Sequence, residues 1–534
     1  MNCGMARIDS DVAIVGAGHN GLVAAVFLAR QGLKVIVLEE KAGVGGAAKT
    51  EYPFAKAPRL GTSTGAYLLG VMQPELIAKL GARFKLIRRD PHYFLPTLDR
   101  RYLLFGSDAD SMRRQFTEFF SEEDWVANQA MNREIGQIRD DLAPAWLEEP
   151  LTVEGTAERY IRPALRRAFL DLVARPVEAY LGRFGFKSDL LLAMYAVTDG
   201  FSGLSAGFDS PGTGMNFLVH NMCRLPGSDG TWMIVQGGMG NVTQELARLA
   251  VEAGAEILTN AAVSKIEITR RSVSGVVLDD GREISAKVVV SNADPFRMRS
   301  LVGANEFPAE FNAKLDNFRR TGTTMKINLA LDRLPTFSCL PENRGQHNAT
   351  IHLLPQEGDV IGNIRRGFEK VRAGELAEFP TIEWYIHTQA DPTLKDDQGR
   401  HNSAFFIQWA PYELSGGRRW EDEEPRYVEH LLGIAERFAP GFRQSVEDVF
   451  ALTPKKIEQH FGMTYGHIHH VDNSFGFDRR MPYATPLAAL YSCSAGCHPA
   501  GSVIGSAGHN AAMRVIKDMG LNPKSPTVES TRSG

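Results

Sequence analysis

Residues 11–40, DVAIVGAGHNGLVAAVFLARQGLKVIVLEE, begin with the apolar run Val12–Val15. The run is too short for a helix and lacks polar alternation, which predicts a strand buried on both faces. Leu22, Ala25, Leu28 and Ala29 then recur at helical spacing as far as Gly32, a residue suited to end a helix. Val35–Leu38 predict a second buried strand. The same alternation of elements returns in residues 236–295. There Val242, Leu246, Leu249 and Ala250 mark a helix closed by Gly254, and Ala255–Leu258 and Val263–Ile268 mark strands. A hairpin turning at Asp280-Gly281 and a strand Val288–Val290 follow, leading into the loop Asn292-Ala293-Asp294-Pro295.

Elsewhere the pattern changes. Residues 76–230 are mostly helix-like; within them 156–187 place Leu165, Phe169, Leu172 and Val173 at helical spacing, with seven basic residues against three acidic. The expectation is a solvated helix facing a core, with peripheral membrane contact as the alternative. In residues 323–333, Met325, Ile327, Leu329 and Leu331 alternate with Lys326, Asn328 and Asp332, as in a strand with one wet face. Residues 381–388 and 403–412 predict further strands. Near the end, Ala488–Tyr491 read as a last strand, Ser494–Gly505 as a glycine-rich turn, and Val503 onward as a helix whose N-terminus favours negative charge.

Composition narrows the function classes. A chain of 534 residues predicts about two to four domains. A net charge of -4 gives no electrostatic ground for a nucleic-acid partner. Cys3, Cys223, Cys339, Cys493 and Cys497 are few, odd in number and scattered, which fits a reducing compartment. The first ten residues carry neither a signal-peptide core nor a transit-peptide pattern, so the expected location is the cytoplasm. Cys493 and Cys497 are separated by three residues, whereas haem attachment uses two. His467, His469 and His470 lack carboxylates or cysteines at ligand spacing, so no metal is expected.

The chemistry lies first in Gly16-Ala17-Gly18-His19-Asn20-Gly21, a G-x-G-x-x-G sequence at the end of the first strand. Gly16 permits the tight turn, Gly18 lets backbone approach a pyrophosphate, and Gly21 lets the helix pack on the strand. Glu39, 23 residues after Gly16, is placed to accept hydrogen bonds from a ribose. These residues alone leave NAD and FAD open.

Glu39-x-Lys41-x-x-x-Gly45-Gly46, together with AGCHPAGSVIGSAGHNAA at 495–512, resembles the signatures of the phytoene desaturase and amine oxidase superfamily. VQGGMG and MKINLALDRLP extend the resemblance across the chain, closest to the pyridine nucleotide-disulphide oxidoreductase domain-containing protein 2 group. Ser494 and Ala500 stand where that pattern has glycines, and Cys497 where it has another small residue, so a stiffer loop is expected. The resemblance implies FAD as cofactor. Its binding residues would be Gly16, Gly18, His19, Asn20, Gly21, Glu39, Lys41, Gly45, Gly46, Val263, Gly496, Gly501, Ser502 and Val503. It also places Gly466-x-Ile468-x-His470 beside the isoalloxazine, making His470 the catalytic candidate and a purely structural loop histidine the alternative. Lys326 is a weaker candidate, by analogy to a flavin-facing lysine, with a solvated strand lysine preferred. Cys493 and Cys497 are expected as small apolar residues near the flavin.

The implied architecture is α/β plus α+β. A discontinuous Rossmann-like FAD-binding domain (9–75, 231–300, 485–522) would hold an inserted substrate domain of antiparallel sheet and helices (76–230, 301–484), with 523–534 as a flexible tail. The implied activity is hydride transfer between flavin and an apolar, polyene- or lipid-like substrate. The alternative is a flavin-binding redox-sensing or interaction protein without robust turnover; an NAD-dependent dehydrogenase is disfavoured by the C-terminal loop. The group resemblance adds a mitochondrial location as an alternative and leaves oligomeric state open. A flavin disulphide reductase does not fit, since Cys3 stands alone and no second G-x-G-x-x-G follows a strand.

Overall fold

The computed structural model describes residues 8–524, so the expected tail lies outside the described residues from 525 on. Two seven-stranded sheets organise the described chain. In the first, Ile8–Val15 runs parallel between Val35–Leu38 and Glu283–Ser291, with Val12 opposite both Val35 and Val288. Val12, Ala13 and Ile14 are fully buried, as a strand covered on both faces must be. Glu256–Leu258 extends the sheet on one side. On the other, Glu283–Ser291 pairs antiparallel with Ser272–Leu278 along its first half and parallel with Leu490–Ser492 at its end. Helix His19–Arg30 packs against helices Gly240–Glu252 and Ser506–Asp518. A side chain at Gly508 would strike the Asn20 carbonyl, so this glycine sets how closely the last helix approaches.

That last helix begins at Ser506, after Gly505 in the left-handed region at φ +80°, and not at Val503 as predicted. Gly501, Ser502 and Val503 therefore belong to the turn before it. The core of the first sheet also reaches past residue 300, for Phe307, Phe311, Leu315 and Phe318 are buried in it.

The second sheet runs in the order Val446–Leu452, Thr324–Leu331, His401–Gln408, Ile382–Tyr385, Thr350–Leu353, Tyr93–Pro96, Tyr102–Phe105. Its last two strands come from the stretch expected to be helical. Thr324–Leu331 has no wet face, since all eight residues are buried. Met325, Ile327, Leu329 and Leu331 pack with Trp384 and Phe405, while Lys326, on the opposite face, borders an internal cavity. Alternation reports two different environments; it does not say that one of them is bulk water.

Residues 156–187 are not one helix but pieces of Val153–Tyr160, Arg166–Ala174 and Val177–Leu181, broken near Pro163 and Pro176. Phe169, Leu172 and Val173 are buried as expected. Arg159, Arg162, Arg167 and Arg183 pair with Glu148, Asp141, Asp171 and Glu134, which leaves less free positive charge than the sequence implies. Among the described residues no helix is long and apolar enough to cross a membrane.

Candidate functional site

The first strand ends in a turn that only glycine adopts easily: Gly16 has φ +96° and its N–H donates to the Leu38 carbonyl at 2.8 Å. A second loop lies against this turn, with the Gly45 N–H donating to the Ala17 carbonyl at 2.9 Å. A β-carbon at Gly46 would sit 3.5 Å from the Gly18 Cα, and one at Gly18 would sit 2.7 Å from Asn292 Nδ2. Two glycine loops thus converge, beside the Asn292 side chain, on a cradle in which bare backbone is exposed. Gly21 serves the packing predicted for it, its Cα facing the Gly16 carbonyl.

This cradle is one end of a cavity of about 940 Å³, towards the upper limit of the ~300–1,000 Å³ of small-molecule sites. Gly16, Gly18, His19, Asn20, Glu39, Lys41, Gly45, Gly46, Val263, His470, Ser502 and Val503 all line it. Glu39 is held at the second strand's end. Its Oε2 accepts from the Ala17 N–H at 2.9 Å and its Oε1 from the Lys41 N–H at 3.0 Å, leaving lone pairs on both oxygens for a ligand.

Gly496 and Gly501 do not line the cavity. A β-carbon at Gly496 would meet Val471 and Pro295; one at Gly501 would fall on the His469 backbone, and the Gly501 N–H already donates to Asn473 Oδ1 at 2.8 Å. Both glycines let protein segments pack together and offer no free donor. Conversely Asn292 borders the cavity between the two glycine loops, a role the sequence showed only as a polar residue at a strand end.

The three histidines separate into distinct roles. His467 Nε2 lies 3.3 Å from Asp472 Oδ2, and His469 Nε2 faces the Ser202 carbonyl at 3.2 Å. His470, in the left-handed region at φ +59°, borders the cavity with a buried, unpartnered Nδ1. Burial lowers its pKa, against the opposing pull of Asp294. His19, near enough for His470 to act on its charge, is lowered to about 4 by burial and then by His470, and its Nε2 is also unpartnered.

Lys326 is not solvated. It is 2 % exposed, donates to the Ser63 and Gly65 carbonyls, and lies 4.7 Å from the centre of the Tyr67 ring. Burial takes its pKa well below the ordinary lysine value, with Glu383 opposing. Cys493 and Cys497 are buried free thiols that do not line the cavity, and burial pushes the Cys497 thiol up to about 11. Neither is a nucleophile at neutral pH.

One residue that the sequence did not single out fixes the histidine segment to the C-terminal turn. Arg480, 1 % exposed, donates to the carbonyls of Val471, Asp472, Phe475, Ala495 and Cys497, at 2.9–3.1 Å. Burial lowers its pKa to about 10, so it stays charged at neutral pH.

The profile of the flavin containing amine oxidoreductases matches residues 21–364, more than half of the chain. The chain belongs to this family. The rat protein named pyridine nucleotide-disulfide oxidoreductase domain-containing protein 2 is 32% identical, over 97% of this chain and 95% of its own. A component of the limonene dehydrogenase of Castellaniella defragrans is 25% identical over 96% and 95%. An oxidoreductase from Methanosarcina mazei shares the fold, with a TM-score of 0.62 at 19% identity over 95% of this chain and all of its own. The chain is thus an oxidoreductase of the flavin type. The family supplies the flavin and the G-x-G-x-x-G unit the dinucleotide half, so the cofactor is FAD.

The residues present fit FAD. The cradle at Gly18 and Gly46 is shaped for backbone approach to a pyrophosphate, and His19 Nε2, Asn20 Oδ1 and His470 Nδ1 are enclosed polar atoms without protein partners. Glu39→Ala is expected to weaken FAD binding by about 1.5–3 kcal/mol, the value of a hydrogen bond to a charged group. It should also cost stability, because the Ala17 and Lys41 N–H groups lose their acceptor. Fluorescence titration of the apoprotein measures the first effect and thermal unfolding without cofactor the second; unchanged affinity would transfer the ribose contact to another residue.

Proposed function

We propose that the protein dehydrogenates an apolar, polyene- or lipid-like substrate, with a substrate carbon giving up hydride inside the cavity. The observation behind this is continuity. One cavity joins the glycine cradle and His470 to a lobe walled by Tyr67, Phe406, Met194 and Trp125. A relative that covers almost the whole chain is named for limonene, a hydrocarbon, which favours the same substrate class.

When bound, FAD supplies the two-electron acceptor for the hydride. The chain's residues do the rest. Tyr67 is stacked on Tyr385 at 4.1 Å and held by its hydroxyl donating to Glu383 Oε1 at 2.6 Å, giving a fixed aromatic wall. Lys326 beneath it is turned to the Ser63 and Gly65 carbonyls, which fixes its ammonium group against the Tyr67 ring. His470 Nδ1, neutral and unpartnered, is free to take the proton that must leave as a double bond forms.

Anaerobic titration of the holoenzyme with apolar polyenes, following loss of the oxidised flavin's absorbance, tests this reading. Bleaching by a polyene is the expected result. Flavin that no such compound reduces would leave the protein as a flavin-binding redox sensor. His470→Ala should keep its FAD yet slow reduction by about 10²–10⁴-fold, the range for a general base. A histidine with a depressed pKa is neutral at pH 7, so the wild-type rate should be flat there. It should fall only as pH drops below the ordinary value of about 6.5, and that acid limb should vanish in His470→Ala. Stopped-flow traces across pH would show whether the limb belongs to His470.

A further inference from the structure

The lobe that should hold a hydrocarbon contains a buried cation, Arg89, that makes no ion pair with a carboxylate among the described residues, although Glu383 is near enough to act on its charge. Arg89 is 4 % exposed and borders the cavity. Its Nε and Nη2 donate to the Trp232 carbonyl at 3.2 and 3.1 Å, and its Nη1 to Thr350 Oγ1 at 2.6 Å. A guanidinium has five N–H groups, so one on Nη1 and one on Nη2 remain unassigned. Arg480 shows the contrast, a buried guanidinium that meets five carbonyls.

Burying a cation costs several kcal/mol unless an anion or a full set of acceptors compensates. Glu383, the buried acid of the same lobe, is engaged elsewhere: Oε1 receives the Tyr67 hydroxyl and Oε2 faces His352 Nε2 at 3.6 Å. No ion pair joins Arg89 to any carboxylate among the described residues. The neighbouring wall mixes polar side chains, among them Asn128, Asn132 and Asp199, with apolar ones. Tyr93 meets Phe105 edge-on at 5.6 Å, and Met112, Trp125, Ile135 and Met194 continue the lining.

Those apolar side chains beside a buried, under-satisfied guanidinium are the complement of an amphipathic molecule. Resting on the proposed dehydrogenation of an apolar substrate, we infer that the substrate is an apolar chain bearing a carboxylate, and that Arg89 receives the carboxylate. Two free N–H groups on the two terminal nitrogens match the two oxygens of one carboxylate, which planar guanidinium binds in a fork. A phosphate ester would bring more oxygens than these two donors satisfy. The carboxylate would also anchor the chain, so that a carbon at a fixed distance from it is presented for oxidation.

The test uses the FAD-loaded protein under argon and dodecanoate, methyl dodecanoate and dodecylamine as probes, with binding read by calorimetry and by perturbation of the flavin spectrum. Dodecanoate should bind about tenfold or more tightly than its ester, the value of one charge-assisted hydrogen bond, and the amine should bind weakest. In Arg89→Met the acid and ester should bind alike, and Arg89→Lys should recover part of the preference. Ile135→Trp, which fills the apolar wall and leaves the guanidinium in place, should weaken acid and ester together.

Equal affinity of acid and ester in the wild-type protein overturns the inference even if Arg89→Met does not fold. A preference that survives Arg89→Met in a folded, flavin-loaded protein overturns it as well, and so does an Ile135→Trp protein that binds acid and ester as tightly as the parent. The underlying reading fails separately. Acid-selective binding without flavin reduction by any apolar compound would reject dehydrogenation and keep the carboxylate site; reduction by neutral polyenes without acid selectivity would do the reverse.

Discussion

Arg480→Met should leave little folded protein. The side chain it replaces donates five hydrogen bonds to carbonyls in two segments, 471–475 and 495–497, all in a region with almost no water access. Methionine fills much of the volume and satisfies none of those carbonyls. At about 1 kcal/mol or more for each buried acceptor left without a partner, the loss is on the order of 5 kcal/mol, comparable with the whole ~5–15 kcal/mol stability of a domain. Release of the guanidinium's own desolvation cost offsets part of this. Lysine is no remedy, because three donors on a mobile stem cannot reach five carbonyls fixed around a plane. Expression in soluble form and the urea midpoint measure the effect. A variant within about 1 kcal/mol of the parent would show that the carbonyls find water or other donors, and that the guanidinium is not what binds the two segments together.

Gly18→Val should give a colourless protein. Gly18 has φ -71° and ψ 169°, an extended conformation that valine adopts without strain, so backbone preference plays no part in the outcome. Space decides it. The β-carbon alone would press to 2.7 Å from Asn292 Nδ2, and the branched methyls would stand between the two glycine loops where a pyrophosphate must approach. The same substitution at Gly16, at φ +96°, would confound strain with blockage. The flavin-to-protein absorbance ratio after purification reports the loss, and an unchanged circular dichroism spectrum separates it from unfolding. A yellow Gly18→Val protein would mean that the cofactor's phosphates lie elsewhere along the cavity.

How much of this could be read without a structure depends on where each residue's partners lie in the chain. The strand, turn, helix and strand of 11–40 were legible because their packing partners are close in sequence and each has its own period. The pair Tyr93–Pro96 and Tyr102–Phe105 was not, since four-residue strands within a helix-rich stretch carry too little periodicity. Glycine signatures show that space is needed but not for what. In the sequence the glycines at 496 and 501 mark room for a flavin; in the structure that room is taken by Val471 and His469. The burial of Lys326 has no signal in the sequence, because alternation marks the second face of a strand without revealing whether that face meets solvent or an internal cavity. Arg89 and Arg480 left no sequence trace, because most of their partners are backbone carbonyls, which every residue possesses.

The strand Leu490–Ser492 joins the first sheet by pairing with Val289–Ser291, some two hundred residues earlier, and the turn that follows supplies Ser502 and Val503 to the cavity. During synthesis, then, the glycine turn and Glu39 leave the ribosome long before the segment that completes their pocket. At ~5–20 residues per second the interval from Glu39 to Leu490 lasts about 20–90 s. Throughout it, the C-terminal edge of Glu283–Ser291 lacks its parallel neighbour once exposed, and Val289 and Val290, fully buried in the finished sheet, have no cover from that side. Closure of the cofactor cavity therefore waits for the C-terminal turn. The time the ribosome takes to reach the last strand thus adds a span of aggregation risk that the stability of the finished fold does not describe.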